Sequence, residues 1–365
     1  MARKSSRRSV LRVAGAAGAV ALAGCSSGGN GNGDGNGDTD TDGGGGATTT
    51  DDGSGGESYD WTMAAAVGEG HAFDIGAREF KSAIEELSDG RFSIDVQVGG
   101  AYGGEVEQME TMAAGGVEML AQSFGVSHAV YLPVVLGNTH VLFMDDPIWD
   151  RWAELTNAVW DAVDGRQQMA DQGLTITSPL AYAGVRHTTA NKAIRSPDDI
   201  DGERIRLPEV AMWPGVFSEF GFEPVAMAVD ELYSGLQQGT VDASEGEIYQ
   251  VRSQNLNEVQ SHYNMTGHFP NAYHFMINTD LYQSLPEEDQ QVVDEASAQA
   301  VESANEMVES SEQEVIDELT GSDFTLVEDV DRAAFVEAAQ GPIETYYEEN
   351  DPPLSLDEVN DIIRG

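Results

Sequence analysis

The chain is 365 residues long and carries 64 Asp and Glu against 18 Lys and Arg, a formal net charge of −46. Without a basic face to displace counterions from phosphate, nucleic acid is excluded as a partner. Its single cysteine, Cys25, excludes a disulfide framework, so the folded part must stand on a hydrophobic core, which a chain of this length can supply.

The N-terminal 25 residues read as an address. Ser6-Arg7-Arg8-Ser9-Val10-Leu11 has the twin-arginine pattern, and the apolar run Val13–Ala23 is too short to span a bilayer permanently. Leu22-Ala23-Gly24-Cys25 has the form of a lipobox, which makes Cys25 a lipidation site and 1–25 a Tat-type lipoprotein signal. Residues 26–58 are Gly, Ser, Asp, Asn and Thr with almost nothing apolar, a flexible linker. Asp38-Thr39-Asp40-Thr41-Asp42-Gly43 imitates the start of a calcium loop, but the twelfth position would be Thr49 and no apolar helix flanks it, so no metal is expected there. Beyond the signal only two Lys remain, Lys81 and Lys192, and the carboxylates are spread over every segment. At about 1 M salt the screening length falls to about 3 Å, which removes the self-repulsion of such a surface. The composition therefore fits salt adaptation, as in a halophilic archaeon.

Trp61–Val67 reads as a buried strand and His71–Leu87 as a helix with apolar residues at helical spacing. Arg91–Val98 alternates with period two, Gly99–Gly104 turns, Glu105–Ala114 is helical and Val117–Ala121 is a strand. The rhythm returns after Gly184, with a strand at Ile205–Leu207, a helix at Ala211–Phe220, a strand at Glu223–Met227, a helix at Asp230–Gln238 and a strand at Thr240–Ala243. This repetition predicts an α/β fold of two lobes with a cleft between them. Tyr273–Asn278 is expected as a strand returning to the first lobe. Ser284-Leu285-Pro286-Glu287 fits a capping box that opens a helix of about 35 residues, roughly 50 Å long, ending near Gly321. The expected domains are 59–183 with 273–311 as lobe I and 184–272 with 312–365 as lobe II.

Catalytic motifs are missing: there is no Gly-x-Ser-x-Gly elbow, no His-Glu-x-x-His and no phosphate-binding Lys loop. The seven His, at 71, 128, 140, 187, 262, 268 and 274, lack metal-ligand spacing. No catalytic residue, cofactor or metal is expected. Arginine carries the sharper signal, because a guanidinium presents a planar fork that matches a carboxylate and stays charged when desolvated. In Arg204-Ile205-Arg206, period two places both Arg on one face.

Three stretches, Gly184-Val185-Arg186 through Lys192, Gly202 through Arg206-Leu207-Pro208, and Leu236-Gln237-Gln238-Gly239-Thr240-Val241-Asp242, together resemble the solute-binding proteins of TRAP (tripartite ATP-independent periplasmic) transporters. The resemblance extends over roughly residues 61–320. It implies a periplasmic-binding-protein-like fold whose long helix spans both lobes, with crossings near Met265–Gly267 and Ala181–Ala183. It also implies a small organic carboxylate as ligand, Arg206 as its clamp and Arg186 in support, while Arg204 is read as a surface residue. Departures matter: Gly246 follows Glu245 where many members carry Asn, and Val229 stands where an aromatic often packs, which together suggest a roomier pocket. Glu245, Gly246, Trp213, Asn271 and Tyr273 are the further ligand-binding candidates, with Tyr249 as another aromatic wall. The expected partners are the small and large membrane subunits of a TRAP carrier, and the expected place is the outer face of the cell membrane. The alternative is a binding protein of an ATP-driven importer or receptor.

Overall fold

The computed structural model describes residues 57–131, 151–210, 212–321, 323–350 and 352–364. The export signal, Cys25, nearly all of the linker and His140 lie outside them. In chain order the first elements are β1 (Tyr59–Ala64), α1 (Ala72–Leu87), β2 (Phe92–Gln97), α2 (Glu105–Ala113), β3 (Met119–Ser123), α3 (Phe124–Tyr131), α4 (Trp152–Ala162), α5 (Gly165–Ala170), β4 (Leu174–Ile176) and β5 (Ala181–Ala190). Then come β6 (Arg204–Leu207), α6 (Trp213–Glu219), β7 (Glu223–Ala226), α7 (Leu232–Gln237), β8 (Ala243–Gly246), α8 (Ile248–Ser253) and β9 (His262–Asn278). The chain closes with α9 (Thr279–Ser284), α10 (Glu287–Leu319), β10 (Thr325–Val327), α11 (Arg332–Asn350) and α12 (Leu356–Arg364).

The strands form one mixed sheet in the order β2-β1-β3-β9-β5-β8-β6-β7, with β4 and β10 also pairing β9. Each end is a parallel α/β unit: β1 pairs β2 and β3, and β6 pairs β7 and β8. Two antiparallel strands tie the ends together. β9 pairs β3 from Met119↔Ile277 to Ser123↔Tyr273, and β5 pairs β8 from His187↔Gly246 to Ala190↔Ala243. Their mutual ladder is irregular between Tyr182 and Gly184 and again between Arg186 and Thr188. Gly184 and Gly267 both take positive φ at this crossing, +108° and +52°. A side chain on Gly184 would also press within 3.2 Å of Glu247 and Glu312.

Alternation along the strands separates two hydrophobic cores, one on each face of the sheet. Met63, Met119 and Phe275 join one, while their neighbours Ala64, Leu120 and Met276 join the other. The first is roofed by α1, α7, α8 and α10 through residues such as Phe80, Leu232, Tyr249 and Val293. The second is roofed by α2, α4, α6 and α11 through Met112, Val159, Phe217 and Phe335. The 33-residue α10 packs on α1 at one end of the sheet and on β5 and α8 toward the other. It repairs the irregular crossing of β5, where Asn305 Oδ1 accepts from Tyr182 N (2.8 Å) and Glu312 Oε1 accepts from Val185 N (3.2 Å).

Several expected boundaries move. The strand expected at Thr240–Ala243 is instead Ala243–Gly246, because a turn closed by Thr240 N on Gly235 O (2.8 Å) delays it. β9 is one continuous 17-residue strand and not a separate return strand. The capping box at Ser284 does not form. Asn278 caps α9 by accepting from Leu281 N, which draws Ser284 into that preceding helix, and Pro286 itself stands at the start of α10. Among the described residues no helix is long and apolar enough to cross a membrane.

Candidate ligand-binding site

Where the two ends of the sheet meet, eight chain segments converge on a small cavity of about 30 Å³. It opens beside a larger volume of about 370 Å³, and the two share Glu105, Val126, Arg206, Pro208 and Val229. Arg206 reaches it from β6, and Arg186 reaches it from the irregular stretch of β5. The turn at Gly99–Gly104, with positive φ at Gly99, Gly100 and Gly103, delivers Glu105 to the first position of α2. His71 caps α1, its Nδ1 accepting from Phe73 N at 3.2 Å.

Each of the three Arg186 guanidinium nitrogens has a carboxylate partner. Its Nε and Nη2 grip Glu245 at 2.6 and 2.5 Å, Nη2 also donates to Glu245 O, and Nη1 donates to Glu247 at 3.0 Å. Its guanidinium stacks 5.5 Å from the Trp213 ring and 5.6 Å from Phe269. The carboxylates are shared onward. His268 Nε2 lies 3.2 Å from Glu245, Asn271 Nδ2 donates to Glu247 at 3.2 Å, and His71 Nε2 pairs with Glu247 at 2.7 Å. Burial would raise Glu245, but Arg186 and His268 outweigh it and hold the carboxyl at about 2. Burial likewise works against the Arg186 charge, and Glu245 and Glu247 overcome it, so its proton is held more tightly than usual. Next door, burial keeps His187 neutral, down to about 3, with His268 adding to the effect.

Arg206 is equally buried and in the opposite state. Its Nε donates to Met227 O at 2.8 Å, and among the described residues no carboxylate lies within ion-pair distance of it. Desolvation lowers it to about 10, with Arg186 adding to the fall and Glu245, Glu105 and Asp230 opposing it. A buried guanidinium that lines a cavity and lacks a carboxylate partner has the chemistry to receive an anion. Glu105 faces it with an unpartnered Oε1, and burial raises this carboxyl against the pull of Arg206.

Of the residues expected from sequence, Arg206, Arg186, Trp213 and Asn271 line the small cavity. Glu245 lies behind Arg186 as its counterion. Tyr273 lies elsewhere: it packs 4.7 Å from the Phe73 ring, its hydroxyl against Gly76, inside the core under α1. Tyr249 is also core, its hydroxyl donating to Val308 O at 2.7 Å. Gly246 opens no space for a solute, because the Gln250 carboxamide fills it: a Cβ there would stand 2.8 Å from Gln250 Oε1. Arg204 turns outward to Asp242. His71, Glu105, Glu247 and Gln250 are absent from the expected set. The signal that could have found Glu247 is the Glu-Gly-Glu spacing, which with Arg186 one strand away supplies two counterions. Among the described residues no group of three or more His, Cys, Asp or Glu is placed to hold a metal ion.

The model of the family described as "Bacterial extracellular solute-binding protein, family 7" matches residues 63–350. A solute-binding protein of Verminephrobacter eiseniae is 28% identical over 294 residues, covering 80% of this chain and 84% of its own. Among solved structures, a TRAP periplasmic solute-binding protein of Roseobacter denitrificans with bound L-galactonate is 26% identical, with a TM-score of 0.71 over 84% of this chain and 97% of its own. One of Polaromonas bound to D-erythronate is 25% identical, with a TM-score of 0.72 over 83% and 98%. The two-lobe α/β fold, the cleft at the crossing of β5 and β9 and the family match agree, and the chain belongs to the family 7 extracellular solute-binding proteins, the binding proteins of TRAP transporters.

Proposed function

We propose that this protein binds a small hydroxylated monocarboxylate between its lobes, with the Arg206 fork on the carboxylate. The observation that carries the reading is a buried guanidinium left without a carboxylate partner beside one that has two. The cavity of 30 Å³ admits a small polar group and suits a carboxylate head, while the 370 Å³ beside it is within the range of small-ligand pockets and takes the rest. The ligands in the solved relatives, L-galactonate and D-erythronate, support this class. Lobe closure around the solute excludes water and strengthens the ion pair, and the closed form is what the two membrane subunits recognise. The protein acts by binding and release, without chemistry on the solute.

Export through the twin-arginine signal and anchoring by a lipid on Cys25 complete the reading. A Cys25→Ser variant then appears in the medium, and its retention in washed membranes would count against the anchor. The acidic surface is read as an adaptation to molar salt, so the melting temperature should fall steeply as salt is lowered from molar to about 0.1 M, where the screening length reaches about 10 Å. The carboxylate reading is tested by thermal melting at molar salt with L-galactonate, D-erythronate and the corresponding neutral polyols. Only the acids should raise the melting temperature. Equal stabilisation by the polyols overturns it.

A further inference from the structure

We infer that Gln250 is a specificity-determining ligand residue, its side-chain amide donating to an oxygen of the solute beside the carboxylate. The inference rests on Arg206 as the anion clamp and goes further, because it names a second contact and the feature of the solute that it reads.

Glu247 begins α8 in an extended conformation, and the Gln250 backbone N–H closes the first turn on Glu247 O at 3.0 Å. This turn aims the Gln250 side chain back over Gly246. The residue is 4% exposed, it lines the same small cavity as Arg206, and its Nε2 has no hydrogen-bond partner among the described residues. A buried amide N–H without a partner is destabilising, and native structures retain such groups where something else completes them. Among the lining residues Trp213 Nε1 is also a buried donor without a partner, but a rigid indole cannot turn toward a new acceptor as an amide can. Asn271 Nδ2 is engaged by Glu247, and the Arg186 guanidinium is engaged by Glu245 and Glu247.

Gly246 is what permits this arrangement. A Cβ at 246 would lie 2.8 Å from Gln250 Oε1 and 2.9 Å from its carboxamide carbon, so any larger residue there must displace the amide. The amide missing from position 246 is thus supplied from position 250, one helical turn later, by a residue that lines the cavity and whose Nε2 has no partner. Arg206 provides charge to one carboxylate, and Gln250 provides a neutral donor that needs an acceptor oxygen close by. The chemistry that fits is a 2-hydroxy or 2-oxo acid, and the corresponding 2-deoxy acid would leave the donor unmet.

The experiment titrates a panel of 2-hydroxy acids of three to six carbons, D-erythronate and L-galactonate among them, each against its 2-deoxy counterpart. Calorimetry at molar salt compares the wild type with Gln250→Met, Gln250→Glu, Gly246→Ala and Arg206→Ala. The wild type should favour the hydroxy acid by roughly tenfold or more. Gln250→Met should lose that preference while still binding the deoxy acid, with its unliganded melting temperature unchanged or raised. Gln250→Glu should bind every acid more weakly, and Gly246→Ala should mimic Gln250→Met if it folds. Equal affinity of the wild type for the two members of each pair overturns the inference, as does an undiminished preference in Gln250→Met. If Arg206→Ala binds normally while Gln250→Met loses the preference, the clamp reading fails and the role of Gln250 stands. Failure of the wild type to bind any acid of the panel overturns both.

Discussion

Arg186 and Arg206 stand on β5 and β6, separated by the single strand β8, and both are almost fully buried. One has two carboxylates and a backbone carbonyl around its guanidinium, and the other has one carbonyl. Burial pushes against the charge of both, yet Arg186 ends with its proton held more tightly and Arg206 with a value lowered to about 10. The difference teaches that burial alone does not distinguish the two; on the proposed reading it is the unmet charge that marks the binding residue. Arg186 neutralises Glu245 and Glu247 and fixes β5 against β8 at the crossing, so its work is done before any solute arrives. Arg206 keeps its desolvation cost in the unliganded protein, and in the proposed complex the bound anion relieves it.

The largest expected effect comes from breaking the paired side. Arg186→Met leaves Glu245 and Glu247 buried without their cation, and removal of one partner of a buried pair costs roughly 3–5 kcal/mol. Thermal melting at molar salt should show a large fall, and a small one would mean that the hydrogen bonds from His71, His268 and Asn271 suffice to hold the two carboxylates. The open side should respond in the opposite sense. Arg206→Met removes an unpaired buried charge, so the unliganded protein should melt no lower than wild type. Its affinity for the solute should drop by roughly two to three orders of magnitude, since each charge-assisted hydrogen bond to a buried carboxylate contributes about 1.5–3 kcal/mol. Arg206→Lys keeps the charge without the fork and should recover only part. Calorimetric titration separates the three proteins, and a parallel loss of stability in both Arg variants would erase the distinction between the two sites.

The place of Arg206 on the cavity was legible in the sequence because a short strand with a following proline sets its face locally, and the resemblance to known binding proteins suggested a purpose for that face. The pairing of Arg186 was not. Glu245 and Glu247 lie about sixty residues away along the chain, and only the pairing of β5 with β8 brings them beneath the guanidinium. The same limit hid His71 and Glu105, which arrive from helix starts in the first third of the chain. Gly246 was misread for a nearer reason. The short helix α8 left no periodic signal, so the side chain that folds back over the glycine went unseen. Tyr273 follows Phe275 and Ile277 onto the α1 face by period two, a face that the strand pattern alone does not name as core or cleft.

A smaller effect tests the environment of the open side. Burial raises the Glu105 carboxyl, so it stays protonated above the usual carboxylate range, with Arg206, Arg186 and His71 opposing that shift. Protonated, it leaves Arg206 to the solute and can donate to it; ionised, it competes for the same guanidinium. The sign follows: affinity should be highest below the raised value and weaken severalfold as pH rises through it. Glu105→Gln should flatten that part of the profile. A profile in Glu105→Gln that still follows the wild type would assign the titration to another group.

The smallest effect belongs to Arg204, two residues from Arg206 on the same strand. Its Nε and Nη2 each donate to Asp242 at 2.8 Å, Nη2 also reaches Gly239 O at 2.8 Å, and 41% of its side chain is exposed. Here water already solvates both charges, so loss of the pair uncovers nothing buried, and at about 1 M salt a screening length of about 3 Å leaves little long-range field at the cavity. Arg204→Ala should therefore melt within a degree or two of wild type and titrate with unchanged affinity, in contrast to both buried arginines. Its value lies in what failure would mean. A loss of affinity matching that of Arg206→Met would show that the net positive charge of the β6 end attracts the solute. The open fork would then be one contributor among several, and the contrast between paired and unpaired guanidinium would no longer explain where the anion binds.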